Sequence, residues 1–159
     1  MAETTPVPHE PAALRRAYEE AVVKRRFDDP GRRGVVMGVS TTDLTAGRGD
    51  LYVAVGLGRR LEAHGYEVVY LPPHDWYDLP PSTAVFVSML AERTLRLEPL
   101  RLPVGVVPIA WARNNTDRWL ADPQLGAYHA VLCSSEIAQA ALARAFPGPI
   151  GVLRIGVDT

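Results

Sequence analysis

Two glycines in the first polar loop, Gly47 and Gly49, bracket Arg48 just ahead of an amphipathic stretch. Glycine lets a backbone approach a ligand closely. A helix starting nearby adds free N–H groups and the positive end of its dipole, which suit an anionic or hydroxyl-rich ligand. The same residues also suit a tight turn with Asp50 as a plain helix cap, and the sequence weighs the two readings equally. A dinucleotide site is more demanding. Gly47-Arg48-Gly49-Asp50-Leu51-Tyr52 puts tyrosine where the G-x-G-x-x-G fingerprint needs its last glycine. The acid expected about 20 positions on, at the end of the second strand, would hold a ribose. That strand ends Leu71-Pro72, and Glu67 stands at its start. A phosphate-loop lysine pattern is also missing. These departures, with no catalytic Tyr–Lys pair at helical spacing, disfavour a small nucleotide-dependent oxidoreductase.

A second polar step, Ser134-Ser135-Glu136, follows the apolar run Ala130-Val131-Leu132-Cys133 and opens a helix. Capping is its plainer reading and ligand contact the second. Metal chemistry has no foothold. Cys133 is the single cysteine, and His9, His64, His74 and His129 are scattered without ligand spacing. Cys133 lies in an apolar run, as an inert buried thiol would. The formal net charge of -1 gives no reason to expect a nucleic-acid partner. Arg15-Arg16, Lys24-Arg25-Arg26 and Arg32-Arg33 are balanced by nearby acids and read as solvated helix faces.

The elements that must position these residues alternate in type. After a Pro/Thr-rich leader, Met1–Pro8, apolar residues recur at helical spacing from Ala12 to Phe27, and Asp28-Asp29-Pro30-Gly31 ends that helix. Strands are expected at Val35–Val39, Glu67–Leu71, Ala84–Ser88, Val104–Ile109, Ala130–Cys133 and near Ile150. Helices are expected from Asp50 to Gly65, at Ala91–Leu97, at Thr116–Leu120 and at Glu136–Phe146. This order predicts an α/β fold: a doubly wound, mainly parallel six-stranded Rossmann-like sheet with helices on both faces, preceded by an N-terminal amphipathic helix. Residues 1–33 form the leader and helix, and 34–159 the Rossmann-like domain. Ligands of such sheets sit at the carboxyl ends of the strands, at the switch point. No apolar run approaches the about 20 residues of a membrane span, and the simplest compartment is the cytoplasm.

Four segments, taken in order, resemble the N-terminal, acceptor-side domain of bacterial glycosyltransferases of the GT-B fold. They are Gly47–Gly65 with Tyr66-Glu67-Val68-Val69; Ile109-Ala110-Trp111-Ala112-Arg113-Asn114; Tyr128–Glu136; and Ile155-Gly156-Val157-Asp158-Thr159. The resemblance covers about Val35 to the C-terminus and implies sugar transfer from a nucleotide-sugar donor to a hydroxyl acceptor. Gly47, Arg48, Gly49, Trp111, Arg113 and Asn114 would then bind the acceptor. In that role Trp111 would stack on a sugar ring, Arg113 and Asn114 would bond hydroxyls, and Arg48 would meet a phosphate or carboxylate. Trp76, Tyr77, Ser134, Ser135 and Glu136 are secondary cleft candidates. Packing under a Pro-rich loop is an equal alternative for Trp76 and Tyr77, and Trp119 reads as core. Many family members carry a histidine or acid near the loop after the fourth strand. The nearest acid here is Asp117, and no histidine precedes His129 in that region, so Asp117 is only a weak catalytic candidate.

The resemblance further implies that the nucleotide-sugar donor binds a C-terminal domain missing from this chain. On that expectation the chain needs no cofactor or metal of its own and does not turn over alone. Expected partners are a sugar or other hydroxyl acceptor, the C-terminal domain, peripheral membrane and a second copy through an uncovered apolar surface. The competing reading is a stand-alone Rossmann-like ligand-binding or interaction module without catalysis.

Overall fold

The computed structural model describes residues 11–90 and 102–155. Among them are β1 (Gly34–Gly38), β2 (Glu67–Leu71), β3 (Thr83–Ser88), β4 (Val107–Ala112), β5 (Ala130–Cys133) and β6 (Ile150–Val152). The α-helices are α1 (Pro11–Val23), α2 (Gly49–Ala63), α3 (Thr116–Leu120) and α4 (Glu136–Leu142). The strands form one sheet in the order β2-β1-β3-β4-β5-β6, and every neighbouring pair is parallel. The fold is thus the expected Rossmann-like α/β type, with a wholly parallel sheet. All residues of β1 and β2 are buried, which is why both strands read as unbroken apolar runs.

The strand order changes direction once. The chain steps from β1 outward to β2, returns across β1 to β3, and then continues one way. Right-handed crossovers put the β1–β2 connection on one face and all later connections on the other. Packing agrees with that rule. Val35, Met37, Val68, Tyr70, Val87 and Trp111 meet Val22 of α1 and Leu51, Ala54 and Val55 of α2. On the opposite face Val36, Val69 and Phe86 lie under Trp76, while Ala110 and Val131 meet Trp119 of α3 and Leu142 of α4. Only α1 and α2 serve the first face among the described residues. Ile109, Leu132 and Leu153 beyond them are left half-buried.

Several boundaries differ from expectation for local reasons. The first helix ends at Val23 rather than Phe27. Glu67 draws the following segment away from helical geometry by accepting from Lys24 Nζ and from the backbone N–H groups of Asp28 and Asp29. The fourth strand starts at Val107 rather than Val104. Gly105 takes a left-handed φ of 94°, and Val106 N donates to Pro103 O across the turn. Pro108 sits inside this central strand. Its carbonyl accepts from His129 N, and pairing with β5 begins one residue later at Ile109 and Ala130, so its missing N–H falls outside the ladder. The last helix is shorter than expected, ending at Leu142. The expected helix at Ala91–Leu97 and the terminal Gly156-Val157-Asp158-Thr159 lie outside the described residues.

The expected end of α2 is realised. Gly65 has φ 88°, its N–H reaches Glu62 O, and Tyr66 N–H reaches Leu61 O. That bond pair is a Schellman closure, which needs the left-handed conformation glycine tolerates.

Candidate ligand cleft at the carboxyl ends of the strands

The single reversal of strand order lies between β1 and β3, so these strand ends flank the switch point. Ser40 follows β1, and the chain then turns through a short 3-10 segment, Leu44–Ala46, opened by Asp43 and closed by Gly47 at φ 62°. Gly47, Arg48 and Gly49 are all exposed there. Arg48 occupies the cap position of α2 but makes no side-chain capping bond. The expectation that Asp50 caps this helix is corrected by the geometry. Asp50 lies inside the first turn and is buried, and its two carboxylate oxygens accept from Ser40 N and Ser40 Oγ, each at 2.7 Å. Asp50 therefore ties the end of β1 to the start of α2.

Arg113 stands at the end of β4. Its backbone is held on two sides: its N–H reaches Trp111 O at 3.0 Å, and its carbonyl accepts from Ser134 Oγ at 2.7 Å. The side chain is half-buried, and Nε is shut from solvent without a hydrogen-bond partner among the described residues. Burial lowers the guanidinium pKa, and the Asp50 charge opposes that shift. Asn114 is exposed beside it, and Asn115 takes a left-handed φ of 53° to open α3. Asp117 is exposed in the first turn of α3.

The structure separates the aromatic candidates from the polar ones. Trp111 is 2% exposed, packs in the α1/α2 core, and its Nε1 donates to Leu153 O at 3.4 Å. Its ring offers no open face for a sugar, which corrects the stacking expectation. Trp76 is likewise 2% exposed, donates to Leu71 O at 2.6 Å and meets Phe86 edge-on. It belongs to the core, as in the packing alternative. Tyr77 beside it remains 55% exposed. Trp119 is core, as expected.

After β5, Ser135 caps α4 by accepting from Ala138 N at 3.2 Å. Ser134 is spent on the Arg113 carbonyl, and Glu136 pairs with Arg154 at the surface. Of the three, only Ser135 caps the helix as the plainer reading expects; Ser134 braces the Arg113 carbonyl and Glu136 makes an ion pair. What the fold brings together is the Gly47–Gly49 loop, Ser40, Asp50, Arg113 and Ser134. Reading the sequence singled out neither Ser40 nor its bond to Asp50. The bond crosses an irregular loop between β1 and α2, so periodicity could not reveal it.

Beneath this edge, on the α3/α4 face, is a buried polar group of different character. Ser88 Oγ, Tyr128 Oη and Asp122 Oδ2 are all buried without a completed hydrogen bond among the described residues. Burial pushes the Tyr128 phenol up to about 12, and the nearby Ser88 hydroxyl moderates the rise. Burial also raises the Asp122 carboxyl, against the N–H of Gln124.

A cavity of about 850 Å3 lies elsewhere. It lies between the Arg25–Phe27 connector and the loop before β3, and no residue after β1, β4 or β5 lines it. Three cavities of about 850, 470 and 380 Å3 are not lined by the Gly47–Gly49 loop, Ser40, Asp50 or Arg113. No three or more His, Cys, Asp or Glu residues cluster as a metal site among the described residues. No described helix is long and apolar enough to cross a membrane. Comparisons with protein-family models, with curated proteins and with solved structures give no match.

Proposed function

We propose that this chain is the acceptor-binding half of a glycosyltransferase that moves a sugar from a nucleotide-sugar donor to a hydroxyl acceptor. The observation that carries the reading is the shared edge. The switch point puts the exposed Gly47–Gly49 loop at the same edge as half-buried Arg113 and exposed Asn114. Glycosyl transfer requires a hydroxyl aligned with an anomeric carbon while water is kept out. Exposed residues cannot exclude water by themselves, so in this reading a second domain closes over them. That domain would also hold the donor, which fits the expectation that this chain alone does not turn over. Within this reading the acceptor contacts fall to Gly47, Arg48, Gly49, Arg113 and Asn114. Asp117 is the acid nearest in sequence to the loop after β4 and remains a weak catalytic candidate. A cytoplasmic location, with peripheral contact where the acceptor is held at a membrane, belongs to the same proposal.

The test is turnover by the product of the whole native reading frame. A frame that continues for about 150–200 residues, one domain by size, should release nucleoside diphosphate from a nucleotide sugar when an acceptor is added. Residues 1–159 alone should release none. A frame that stops at Thr159, or turnover by 1–159 alone, would sink the proposal.

A further inference from the structure

Three oxygens on the α3/α4 face share a want of partners. Ser88 Oγ at the end of β3, Tyr128 Oη just before β5 and Asp122 Oδ2 just after α3 are each shut from solvent without a hydrogen bond among the described residues. The three residues are 0%, 4% and 7% exposed in that order. Buried polar groups in folded proteins are nearly always paired, and each exception calls for an explanation. Three exceptions in one neighbourhood call for a shared one.

The sheet makes that neighbourhood. Ser88 pairs in register with Ala110 of β4, and Ala110 with Val131 of β5. Tyr128 belongs to the β5 side, two strands from Ser88, yet its phenol lies next to the Ser88 hydroxyl and feels the Asp122 charge. Ala110, which packs in the same cluster as Tyr128 and Trp119, stands between them. Serine and alanine side by side leave room over the sheet that larger side chains would fill. The backbone cannot close the gap. Ser88 is held in the ladder between Gly38 and Ala110. Asp122 and Tyr128 are held by one turn, in which Leu125 N donates to Asp122 O and Tyr128 N donates to Leu125 O.

The donor and acceptor count selects the occupant. Asp122 Oδ1 already accepts from Gln124 N at 2.9 Å, so Oδ2 is the acceptor left over. The two hydroxyls can each donate or accept. Water can give one proton to Oδ2 and accept from both hydroxyls, and buried waters make about three such bonds. A hard cation takes about six oxygens, twice what is offered here. None of the cavities of about 850, 470 and 380 Å3 is lined by these residues, so the space suits nothing as large as an organic ligand.

We propose that Ser88, Tyr128 and Asp122 form a binding site for one internal water molecule, which pins the carboxyl end of β3 to the segment after α3. The site needs no substrate and no second domain. Because β3 flanks the switch point, the bridge steadies one of the strands from which the ligand edge is built.

The experiment is a crystal structure of 1–159 at a resolution that orders single waters, paired with water-oxygen relaxation dispersion in solution. The expected result is one density peak about 2.5–3.0 Å from all three oxygens. Ser88→Val fills the space and removes a partner, so the peak should vanish and the count of long-lived waters should fall by one. Ser88→Ala keeps the space but removes a partner, so the water should exchange roughly tenfold faster. An empty space in the wild type, or a direct bond between any two of the three oxygens, would overturn the proposal. A peak that stays in place in Ser88→Val would do the same. An anomalous peak there in crystals soaked in rubidium chloride would assign a cation and overturn the water. Should Ser88→Val unfold, the wild-type density and the Ser88→Ala exchange rate decide.

Discussion

Burial alone would raise the Glu67 carboxyl, yet its folded value lies below the ordinary one. Lys24 and the N–H groups of Asp28 and Asp29 converge on it. Asp122 is the opposite case: its burial wins over a single N–H partner and its carboxyl is raised. The two therefore act with opposite sign on stability. A depressed carboxylate contributes stability above its ordinary value, near 4.5 for glutamate, and loses it as pH falls through the lower folded value. A raised carboxylate favours the fold below its ordinary value, 3.8 for aspartate, and loses that contribution as pH rises through the higher folded value. Glu67→Gln should flatten the acid limb of a denaturant-measured stability profile and cost about 1–3 kcal/mol at neutral pH through unsatisfied donors. Asp122→Asn should steepen the same limb. Parallel acid limbs in wild type and both variants would contradict this account.

At the scale of elements, α2 shows how one small residue sets a packing distance. A Cβ on Gly58 would lie 1.8 Å from Tyr70 Oη and 3.2 Å from Val68 Cγ1. Alanine is the better helix former by about 1 kcal/mol, but overpacking costs about 1–3 kcal/mol. Gly58→Ala should therefore lower the melting temperature despite its propensity. Tyr70→Phe removes the clashing oxygen, which is itself a buried orphan. The double variant should recover part of the loss, and an additive result in thermal melts would show that the two side chains do not meet.

Much at this scale was legible in the sequence. β2 was readable residue for residue because both its faces are covered, and the end of α2 because Gly65 has a closure chemistry of its own. The site was less legible. The glycine loop and Arg113 stood out by type, but Trp111 and Trp76 look alike whether buried or open. Only the tertiary packing separates a core tryptophan from a ligand platform. The Ser40–Asp50 tie was hidden for a similar reason, since Asp50 suits a cap equally well by position.

For the whole molecule, the one-way run of crossovers has an association consequence. Ile109, Leu132 and Leu153 are half-buried on the α1/α2 face, and Ile155 is 42% exposed beside them. An apolar groove there, about 380 Å3, runs along α2 past Trp111 and Leu153. Sedimentation velocity should show reversible, concentration-dependent self-association of 1–159, weakened by Ile155→Glu. A chain that stays monomeric at the highest soluble concentration would mean this face is adequately covered as it stands.

The same topology also divides the chain in time. Residues 11–71 hold α1, β1, α2 and β2, and these already pack on one another without β3 to β6. Their contacts all close within this one stretch, which is synthesised first. As the chain leaves the ribosome, this first segment can therefore assemble as a unit and offer β1 as a ready edge. The later strands then add one by one against that edge, β3 first and β6 last, so the ligand edge after β4 and β5 takes shape only near the end of synthesis.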